Sequence, residues 1–270
     1  MRTVVLVPAR YASSRYPGKP LASLRGADGV EKPLIQRSWE AACAVNGIDA
    51  VYVATDDNRI RDAALGFGAE VLMTSEDCEN GTIRCADALM RSELEADLVI
   101  NLQGDAPLTP PWFVEALIER MRTNPHIEVA TPVVPCDAET YAHFVADRKE
   151  GRVGGTTAVF GTGGLGLYFS KEVIPYVDPA KHLDAHRYVF HHVGLYGYRP
   201  QALKKYAAFP QGPLETLEGL EQLRFLENGV PVHCVEVEAR GAVFWELNNP
   251  EDVARIEAIL AKGNGKTENG

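Results

Sequence analysis

Apolar runs of strand length alternate with amphipathic stretches along the first half of the chain. The runs are rich in β-branched residues and leucine and end at polar or turn-forming residues, which is typical of strands buried on both faces. Strands are predicted at Val4–Val7, Ala50–Thr55, Glu70–Met73 and Asp97–Leu102. The stretches between these runs carry apolar residues at helical spacing. The alternation predicts an α/β fold with a mostly parallel, Rossmann-like sheet.

The pattern changes after residue 127, where strand-like runs become shorter and are joined by glycine-rich or polar stretches. Strands are predicted at 127–135, 165–169 and 193–199, with a short helix over 138–148. Such runs are typical of antiparallel strands and connecting loops.

These patterns predict one α/β domain that spans residues 1–262. We interpret residues 127–212 as an inserted antiparallel subdomain that serves as a lid or as a dimerisation surface. Residues 263–270 are polar and glycine-rich, which predicts a disordered tail.

A strongly periodic segment, 214–229, predicts one continuous helix near the C-terminus. Apolar residues at helical spacing are expected mostly to face a core: Leu217, Leu220, Leu223, Phe225 and Leu226. Polar residues between them are expected to form the opposite face: Glu221, Gln222 and Arg224.

The charge of the chain excludes one class of partner. With 37 acidic against 27 basic residues, the formal net charge is −10, whereas a protein that covers a nucleic-acid backbone usually has a basic face. No apolar run is long enough to span a membrane, and the N-terminus leads directly into a strand. The sequence therefore predicts a cytoplasmic protein with neither a nucleic-acid nor a membrane partner.

Five cysteines and a group of histidines invite a metal-site interpretation. The cysteines are scattered, odd in number and without C-x-x-C spacing, so we expect buried or half-buried free thiols. Histidines cluster at His182, His186, His191 and His192. No carboxylate pattern frames them, so contact with substrate is favoured over zinc.

The loop after the first strand combines three cations with turn-forming residues. Arg10 and Arg15 offer planar guanidinium groups for phosphate oxygens, and Lys19 adds a compact charge beside Gly18. No glycine-rich dinucleotide or P-loop pattern is present, so side chains would carry most of the phosphate binding. The loop predicts a triphosphate-binding cradle, and a solvated loop with ordinary surface cations is the alternative.

Two further segments could complete a nucleotide site. Asp105 follows an apolar strand and lies where doubly wound folds bind ligands, which makes it a candidate Mg²⁺ ligand beside a triphosphate. Gly81 and Thr82 begin a predicted helix, with Arg84 one turn inside, and a helix N-terminus suits an anion. A turn-forming aspartate is the alternative for the first segment, and an ordinary capped helix is the alternative for the second.

The ordered motifs resemble those of the 3-deoxy-manno-octulosonate (Kdo) cytidylyltransferases, within the wider nucleotidyltransferase group that includes CMP-sialic acid synthetases. The resemblance covers almost all of the chain between Val4 and Ala261. The matching segments are Pro8–Pro20, Val53–Asp57, Asn80–Arg84, Asn101–Asp105, His192–Arg199, Leu220–Arg224 and Asn249–Asp252.

The resemblance implies a nucleotide-diphospho-sugar transferase type of sheet and direct attack of a sugar-acid hydroxyl on CTP, with Mg²⁺ as cofactor. The residues implied to bind the nucleotide are Pro8, Ala9, Arg10, Arg15, Lys19, Ser75, Gly81, Thr82 and Arg84. Those implied to surround the sugar acid are Gln103, His192, Tyr196, Glu221 and Gln222. The resemblance also implies metal binding at Asp105 and the position of Asn248, catalytic roles for Arg10, Arg15, Lys19 and Asp105, and a homodimer.

Three departures from the family pattern fall on the metal and sugar side. Asn248 and Ala106 stand where the family has carboxylates, and Gly154–Ala158 replaces a segment that carries a lysine. An amide oxygen can still bind Mg²⁺, but the site has one negative charge fewer. The acceptor therefore stays open between Kdo, a Kdo-like acid and sialic acid, and a non-catalytic CTP-binding relative is a further alternative.

Overall fold

The computed structural model describes residues 1–12, 16–153, 155–178, 181–182 and 184–262. Two sequence predictions lie outside these residues: the phosphate-binding and catalytic roles of Arg15 and the disordered tail at 263–270.

The described residues form strands and helices in alternation through the first half of the chain. The strands are β1 (Thr3–Ala9), β2 (Ser23–Arg25), β3 (Glu31–Pro33), β4 (Ala50–Thr55), β5 (Glu70–Met73), β6 (Leu98–Leu102), β7 (Val129–Pro135), β8 (Thr157–Phe160), β9 (Gly166–Ser170), β10 (Phe190–His192), β11 (Leu195–Tyr198) and β12 (Val232–Glu236). The α-helices are α1 (Leu34–Cys43), α2 (Asn58–Gly66), α3 (Gly81–Arg91), α4 (Pro111–Thr123), α5 (Ala138–Lys149), α6 (Pro200–Ala208), α7 (Pro213–Glu218), α8 (Leu223–Glu227) and α9 (Asp252–Lys262). Short 3₁₀ turns lie at Lys19–Leu21, Thr162–Gly164 and Ala185–Tyr188.

One large sheet organises the fold. Its strand order is β5-β4-β1-β6-β11-β7-β10-β8-β9, and β12 pairs with β7. Strands β5, β4, β1 and β6 are mutually parallel, as the alternation of strands and helices predicted. The prediction of an α/β fold with a mostly parallel central sheet is confirmed. A separate two-stranded antiparallel sheet is formed by β2 and β3.

The antiparallel strands of the second half continue this same sheet. β11 lies antiparallel between β6 and β7, so that Tyr196 is the register partner of Asn101. Strands β10, β8 and β9 extend the sheet further by antiparallel pairing. The segment 127–212 is therefore joined to the parallel strands by main-chain hydrogen bonds.

Alternation of side chains along β1 builds a core on each face of the sheet. Val5 and Val7 pack in the core on one face, with Phe113 of α4. Val4 and Leu6 pack in the core on the other face, where helices α3, α6 and α8 cover the sheet. Because successive side chains of a strand point to opposite faces, one apolar run supplies both layers.

The predicted helix over 214–229 is wrong. Gly219 has φ +61, a left-handed conformation that closes α7, and its N–H donates to the Glu215 oxygen at 2.7 Å. The chain re-enters a helix only at Leu223. Leu217, expected in the core, is 82% exposed. Gln222 and Arg224, expected on a polar face, are buried.

Several short elements were absent from the sequence prediction. Strands β8 and β10 lie in stretches interpreted as glycine-rich or polar, and helix α6 and the β2–β3 hairpin were also missed. Four cysteines are buried as expected, but Cys43 is exposed, and all five are free thiols. In the described part of the chain, the helices are too short or too polar to cross a membrane.

Candidate active site

The candidate site lies where the direction of strand order reverses. From β1 the chain builds outward through β4 and β5 on one side, and β6 then pairs with the other side of β1. In such sheets the loops after adjacent strands separate and leave a crevice at the carboxyl ends of the strands. The loops after Ala9 and Leu102 border this crevice.

The two loops touch through a glycine. The Gly104 N–H donates to the Pro8 oxygen at 3.3 Å, and a Cβ at residue 104 would lie 2.5 Å from that oxygen. Only glycine permits this approach. From helix α1, the buried Ser38 hydroxyl donates to the Gly104 oxygen at 3.0 Å and fixes the second loop. The cationic loop and the loop of Asp105 are thus held side by side.

Lys19 and Asp105 form an ion pair inside the crevice. Lys19 Nζ lies 2.6 Å from Asp105 Oδ2, and both side chains are partly buried. The Leu247 N–H donates to the main-chain carbonyl oxygen of Asp105 at 2.9 Å. That bond places Asn248 on a segment docked against Asp105, so the two residues predicted to bind a metal share one region.

The first turn of α3 forms another wall of the crevice. Arg10 is exposed, and its Nη1 donates to the main-chain carbonyl oxygen of Glu79 at 3.2 Å. A Cβ at Gly81 would lie 3.0 Å from Gln103 Oε1 and 3.5 Å from Pro8 Cγ, so these side chains pack directly against the helix start. Predicted nucleotide residues and one predicted sugar residue therefore meet at this point.

Arg84 and Ser75 lie below this wall. The Arg84 guanidinium is buried and forms an ion pair with Asp56 at 2.8 Å. The Ser75 N–H donates to Asp87 Oδ2 at 2.7 Å. Arg84 thus connects α3 to the end of β4 and holds the helix against the sheet.

A carboxylate already caps the start of α3. The Thr82 N–H donates to Glu221 Oε2 at 3.0 Å, and the Gly81 N–H lies 3.4 Å from Glu221 Oε1. The Asn80 side chain accepts the Ile83 N–H at 2.8 Å as N-cap. The backbone donors predicted to bind an anion therefore bind Glu221, and they connect the predicted nucleotide side to the predicted sugar side.

The other predicted sugar residues form a buried polar group on the same face of the sheet. Tyr196 Oη donates to Gln222 Oε1 at 3.0 Å, and both side chains are buried. The His192 ring lies 5.6 Å from the Tyr196 ring, centroid to centroid. His192 Nε2 lies 3.1 Å from the Thr131 hydroxyl, which also donates to the Leu195 oxygen at 2.9 Å.

Burial sets the protonation of this group. Desolvation lowers the pKa of His192 to about 3, with a further contribution from neighbouring His191. Desolvation also raises the pKa of the Tyr196 phenol far above its usual value. At neutral pH both side chains are uncharged and act through hydrogen bonds.

Sequence reasoning missed Asn101 and Asp56 as members of the site. Asn101 is completely buried beside Tyr196, and neither amide atom has a hydrogen-bond partner among the described residues. The same holds for Gln222 Nε2. Both missed residues lie within matched motifs, at strand ends, and that position was the available signal.

The sheet topology and the cationic loop at its reversal point define a nucleotide-binding α/β protein. The Cytidylyltransferase family model matches residues 4–237, and the chain belongs to this family. The family resemblance inferred from the sequence motifs is confirmed, and the chain is a nucleotidyltransferase-family enzyme.

Two relatives and one solved structure illustrate the similarity. The chain is 45% identical over 261 residues to the 3-deoxy-manno-octulosonate cytidylyltransferase of Maricaulis maris, covering 97% of this chain and 98% of the relative. It is 40% identical over 264 residues to the 8-amino-3,8-dideoxy-manno-octulosonate cytidylyltransferase of Shewanella amazonensis, covering 96% and 99%. A CMP:2-keto-3-deoxy-manno-octonic acid synthetase complexed with CTP matches with a TM-score of 0.83 and 35% identity, over 97% of this chain and 99% of that chain.

Proposed function

We propose that this protein transfers CMP from CTP to the anomeric hydroxyl of Kdo or a Kdo-like sugar acid and releases pyrophosphate. Relatives that match over nearly the whole chain carry this activity in their names, and the similar solved structure is a complex with CTP. The whole crevice lies within the matched region apart from the segment around Asn248.

One observation of the structure supports the proposal most directly. The Lys19–Asp105 ion pair, a cation and a hard oxygen ligand, lies at the reversal point of the sheet. On one face of the sheet beside it are buried amides with unused hydrogen-bonding atoms at Asn101 and Gln222. Charge at one end suits phosphate, and uncharged amides at the other suit hydroxyl groups, which both donate and accept hydrogen bonds.

The reaction needs alignment and charge neutralisation more than covalent chemistry. The acceptor oxygen forms a bond to the α-phosphorus of CTP while the bond from that phosphorus to the bridging oxygen of pyrophosphate breaks, and the hydroxyl proton is released to water. Arg10 and Lys19 would neutralise the phosphates, and Gln103, Tyr196 and Gln222 would orient the acceptor.

His192 is a poor candidate for the base that receives the hydroxyl proton. A histidine with a pKa of about 3 is a weak proton acceptor at neutral pH. Its ring is also engaged by the Thr131 hydroxyl at 3.1 Å. We therefore assign His192 to orientation of the acceptor.

The donor set fits a Mg²⁺ ion that is partly held by the nucleotide. Mg²⁺ favours oxygen ligands and takes one or two carboxylates together with phosphate oxygens. Asp105 supplies a carboxylate that already binds a cation, Lys19, and Asn248 supplies an amide oxygen on the docked segment. Among the described residues, no group of three or more histidine, cysteine, aspartate or glutamate side chains is arranged to hold a metal ion, so we expect the nucleotide to supply part of the ligand set. When bound, the metal would neutralise charge on the phosphate oxygens.

The test is pyrophosphate release from CTP and Mg²⁺ with Kdo, 8-amino-Kdo, sialic acid or no acceptor. UTP and ATP serve as nucleotide controls, since nothing in the spacing of the motifs separates CTP from UTP. Release that requires CTP and either Kdo or 8-amino-Kdo would support the proposal. Release with sialic acid alone would keep the mechanism and change the acceptor, whereas CTP binding without release would indicate a non-catalytic relative.

We further propose that the enzyme is a cytoplasmic homodimer. Strand β9 is the last strand in the order of the large sheet. Leu165, just before it, is bridged to His233 of β12, but the side chains of Leu165 and Leu167 are 42% and 60% exposed. An exposed apolar edge strand is a liability in a monomer and is normally covered. Free thiols suit a reducing compartment. Light scattering on the wild type and on Leu167→Asp tests the dimer, because the charge should shift the mass to that of a monomer.

A further inference from the structure

The carboxylates that follow β4 each hold an arginine. Asp56 pairs with the buried Arg84, as described above. Asp57 caps α2, because its Oδ1 accepts the Arg59 N–H at 2.8 Å. The same carboxylate binds the Arg59 guanidinium through two further hydrogen bonds, at 3.0 Å from Nε and 2.5 Å from Nη2. Arg59 is thereby fixed at the first turn of the helix.

The fixed guanidinium lies on the ring of Tyr11. The central carbon of the Arg59 guanidinium is 3.3 Å from the centroid of the Tyr11 ring, which is a close cation–π contact. Tyr11 belongs to the cationic loop and directly follows Arg10. The end of β4 therefore contacts the loop after β1 through one aromatic ring.

The ring also touches the other end of the same loop. A Cβ at Gly18 would lie 3.0 Å from both Cζ and Oη of Tyr11, so a side chain there would displace the ring. Gly18 has φ +72, and its N–H donates to the Tyr11 oxygen at 3.0 Å. Tyr11 thus lies between Arg59 and Gly18, and residues 11 and 18 are held together.

Lys19 follows Gly18 and forms the ion pair with Asp105. A continuous series of contacts runs from Asp57 through Arg59, Tyr11 and Gly18 to the lysine of the crevice. We propose that Asp57 and Arg59 are positioning residues. Through the Tyr11 ring they hold together the two ends of the cationic loop, at residues 11 and 18, and so position Lys19. The inference rests on the proposed function for its consequence in nucleotide binding.

The contacts favour positioning over direct contact of Arg59 with phosphate. Both carboxylate oxygens of Asp57 and the face of the Tyr11 ring engage the guanidinium, so its planar surface and two of its donors are occupied. The hydrogen bond from Arg59 also lowers the pKa of the Asp57 carboxyl, which favours the ionised form of the pair. The side chain of Arg59 is 58% exposed, so we expect a moderate effect.

The first test measures amide hydrogen exchange of Gly18 and Lys19 in the nucleotide-free protein. Arg59→Ala should accelerate exchange of the Gly18 N–H by about three- to fivefold, since the ring loses its partner. Arg61→Ala is the matched control, because Arg61 lies on the same helix and pairs with Asp62 and Asn58, away from the loop. Unchanged exchange in Arg59→Ala, or equal acceleration in both variants, would overturn the inference.

The second test measures CTP affinity by calorimetry. Arg59→Ala and Tyr11→Leu should each weaken CTP binding by about three- to fivefold, and the double variant should be no weaker than Tyr11→Leu. Additive losses in the double variant would make Arg59 a direct phosphate ligand and overturn the positioning role.

The two tests separate the inference from the proposed function. A wild type that binds no CTP would contradict the proposed function, and the exchange experiment would still decide whether Arg59 orders the loop. Turnover adds a third criterion: a positioning role should raise the KM for CTP with kcat and the KM for the acceptor nearly unchanged.

Discussion

The proposed nucleotide side of the crevice, with Arg10, Lys19 and Asp105, and the proposed acceptor side, with His192, Tyr196 and Gln222, are built in opposite ways. On the nucleotide side, cations stand on loops that follow parallel strands, and they are exposed, like Arg10, or half-buried in an ion pair, like Lys19. On the acceptor side, His192, Tyr196 and Gln222 are buried and uncharged; Tyr196 donates to Gln222, and His192 contacts the Thr131 hydroxyl. Exposed or half-buried charge marks the first group of residues, and desolvated hydrogen bonds between neutral side chains mark the second.

The difference suggests how each side tolerates change. A loop of exposed cations can lose one charge and still fold, because surface electrostatics contributes little to stability. A buried polar group is costly when a partner is lost, since an unpaired buried donor or acceptor keeps its full desolvation penalty. Variants on the nucleotide side should therefore reduce binding or rate, and variants on the acceptor side should reduce stability as well.

The largest effect is expected at the ion pair beneath the acceptor side. Arg224 donates to Glu215 at 2.6 and 2.8 Å, both are buried, and Arg224 lies 4.6 Å from the Tyr206 ring. Glu215→Ala should lower the free energy of unfolding by about 3 kcal/mol, because it leaves a buried guanidinium without its main partner. The KM for the acceptor should rise more than the KM for CTP, since the Tyr206 hydroxyl donates to the main-chain carbonyl oxygen of Glu221 at 3.2 Å.

Urea unfolding measures this loss, with Glu119→Ala as the matched control. Glu119 pairs with Arg122 at 2.7 Å on the surface, so its removal should cost less than about 0.5 kcal/mol. Equal losses in the two variants would mean that burial does not distinguish these ion pairs. That result would contradict the contrast between exposed and buried polar groups.

The second-largest effect is expected on kcat when Asp105 is replaced. Asp105→Asn removes the carboxylate that faces Lys19 and should lower kcat by about a hundredfold or more with a native-like melting temperature. Asp62→Asn, an exposed carboxylate on α2, is the control and should retain the wild-type rate. Initial rates of pyrophosphate release check both variants. A kcat for Asp105→Asn within about threefold of the wild type would remove Asp105 from the reaction.

The same contrast explains what could be predicted from sequence. The parallel strands and the loops after them are local patterns, so β1, β4, β5 and β6 and the positions of Lys19 and Asp105 followed from short segments. The break between α7 and α8 could not be predicted, because leucine periodicity continues through it and only Gly219 marks the turn. The burial of Gln222 and Arg224 depends on partners such as Tyr196 and Glu215, and spacing along the chain does not reveal tertiary partners.

The third effect is a loss of stability at low pH, which is caused by buried histidines. Burial lowers the pKa of His191 to about 4 and that of His192 to about 3, below the 6.5 of an unfolded histidine. The unfolded chain therefore binds more protons between these values, and stability falls as the pH falls below 6.5. Each histidine should lower the free energy of unfolding by about 2 kcal/mol at pH 5 relative to pH 7.

His191→Leu tests this linkage, because His191 packs between the Phe144 and Phe244 rings, where an apolar side chain is compatible. The stability difference between pH 7 and pH 5, from urea unfolding, should shrink by about 2 kcal/mol. His126→Leu, at an exposed position, is the control. A difference that stays at the wild-type value in His191→Leu would show that burial of His191 does not govern acid stability.

The smallest effect is expected where the two sides meet. Asn248 lies on the segment that Leu247 docks against Asp105, and its own N–H donates to Asp252 Oδ2 at 3.0 Å. Asn248→Asp adds one carboxylate near Asp105, which should strengthen a site for a hard cation. The Mg²⁺ concentration for half-maximal rate should fall by about three- to tenfold, and Mn²⁺ binding in the presence of CTP should tighten similarly.

Asn249→Asp is the matched control for this change, because it adds the same charge one residue further along, at an exposed position. A specific gain in Asn248→Asp would mean that this chain operates with a weakened metal site and that its nucleotide side extends to the C-terminal segment. Equal changes in the two variants would indicate a general effect of negative charge near the crevice. No change in either would place Asn248 outside the metal site, and Asp105 would then be left as the protein's carboxylate there, with Lys19 as its partner until nucleotide binds.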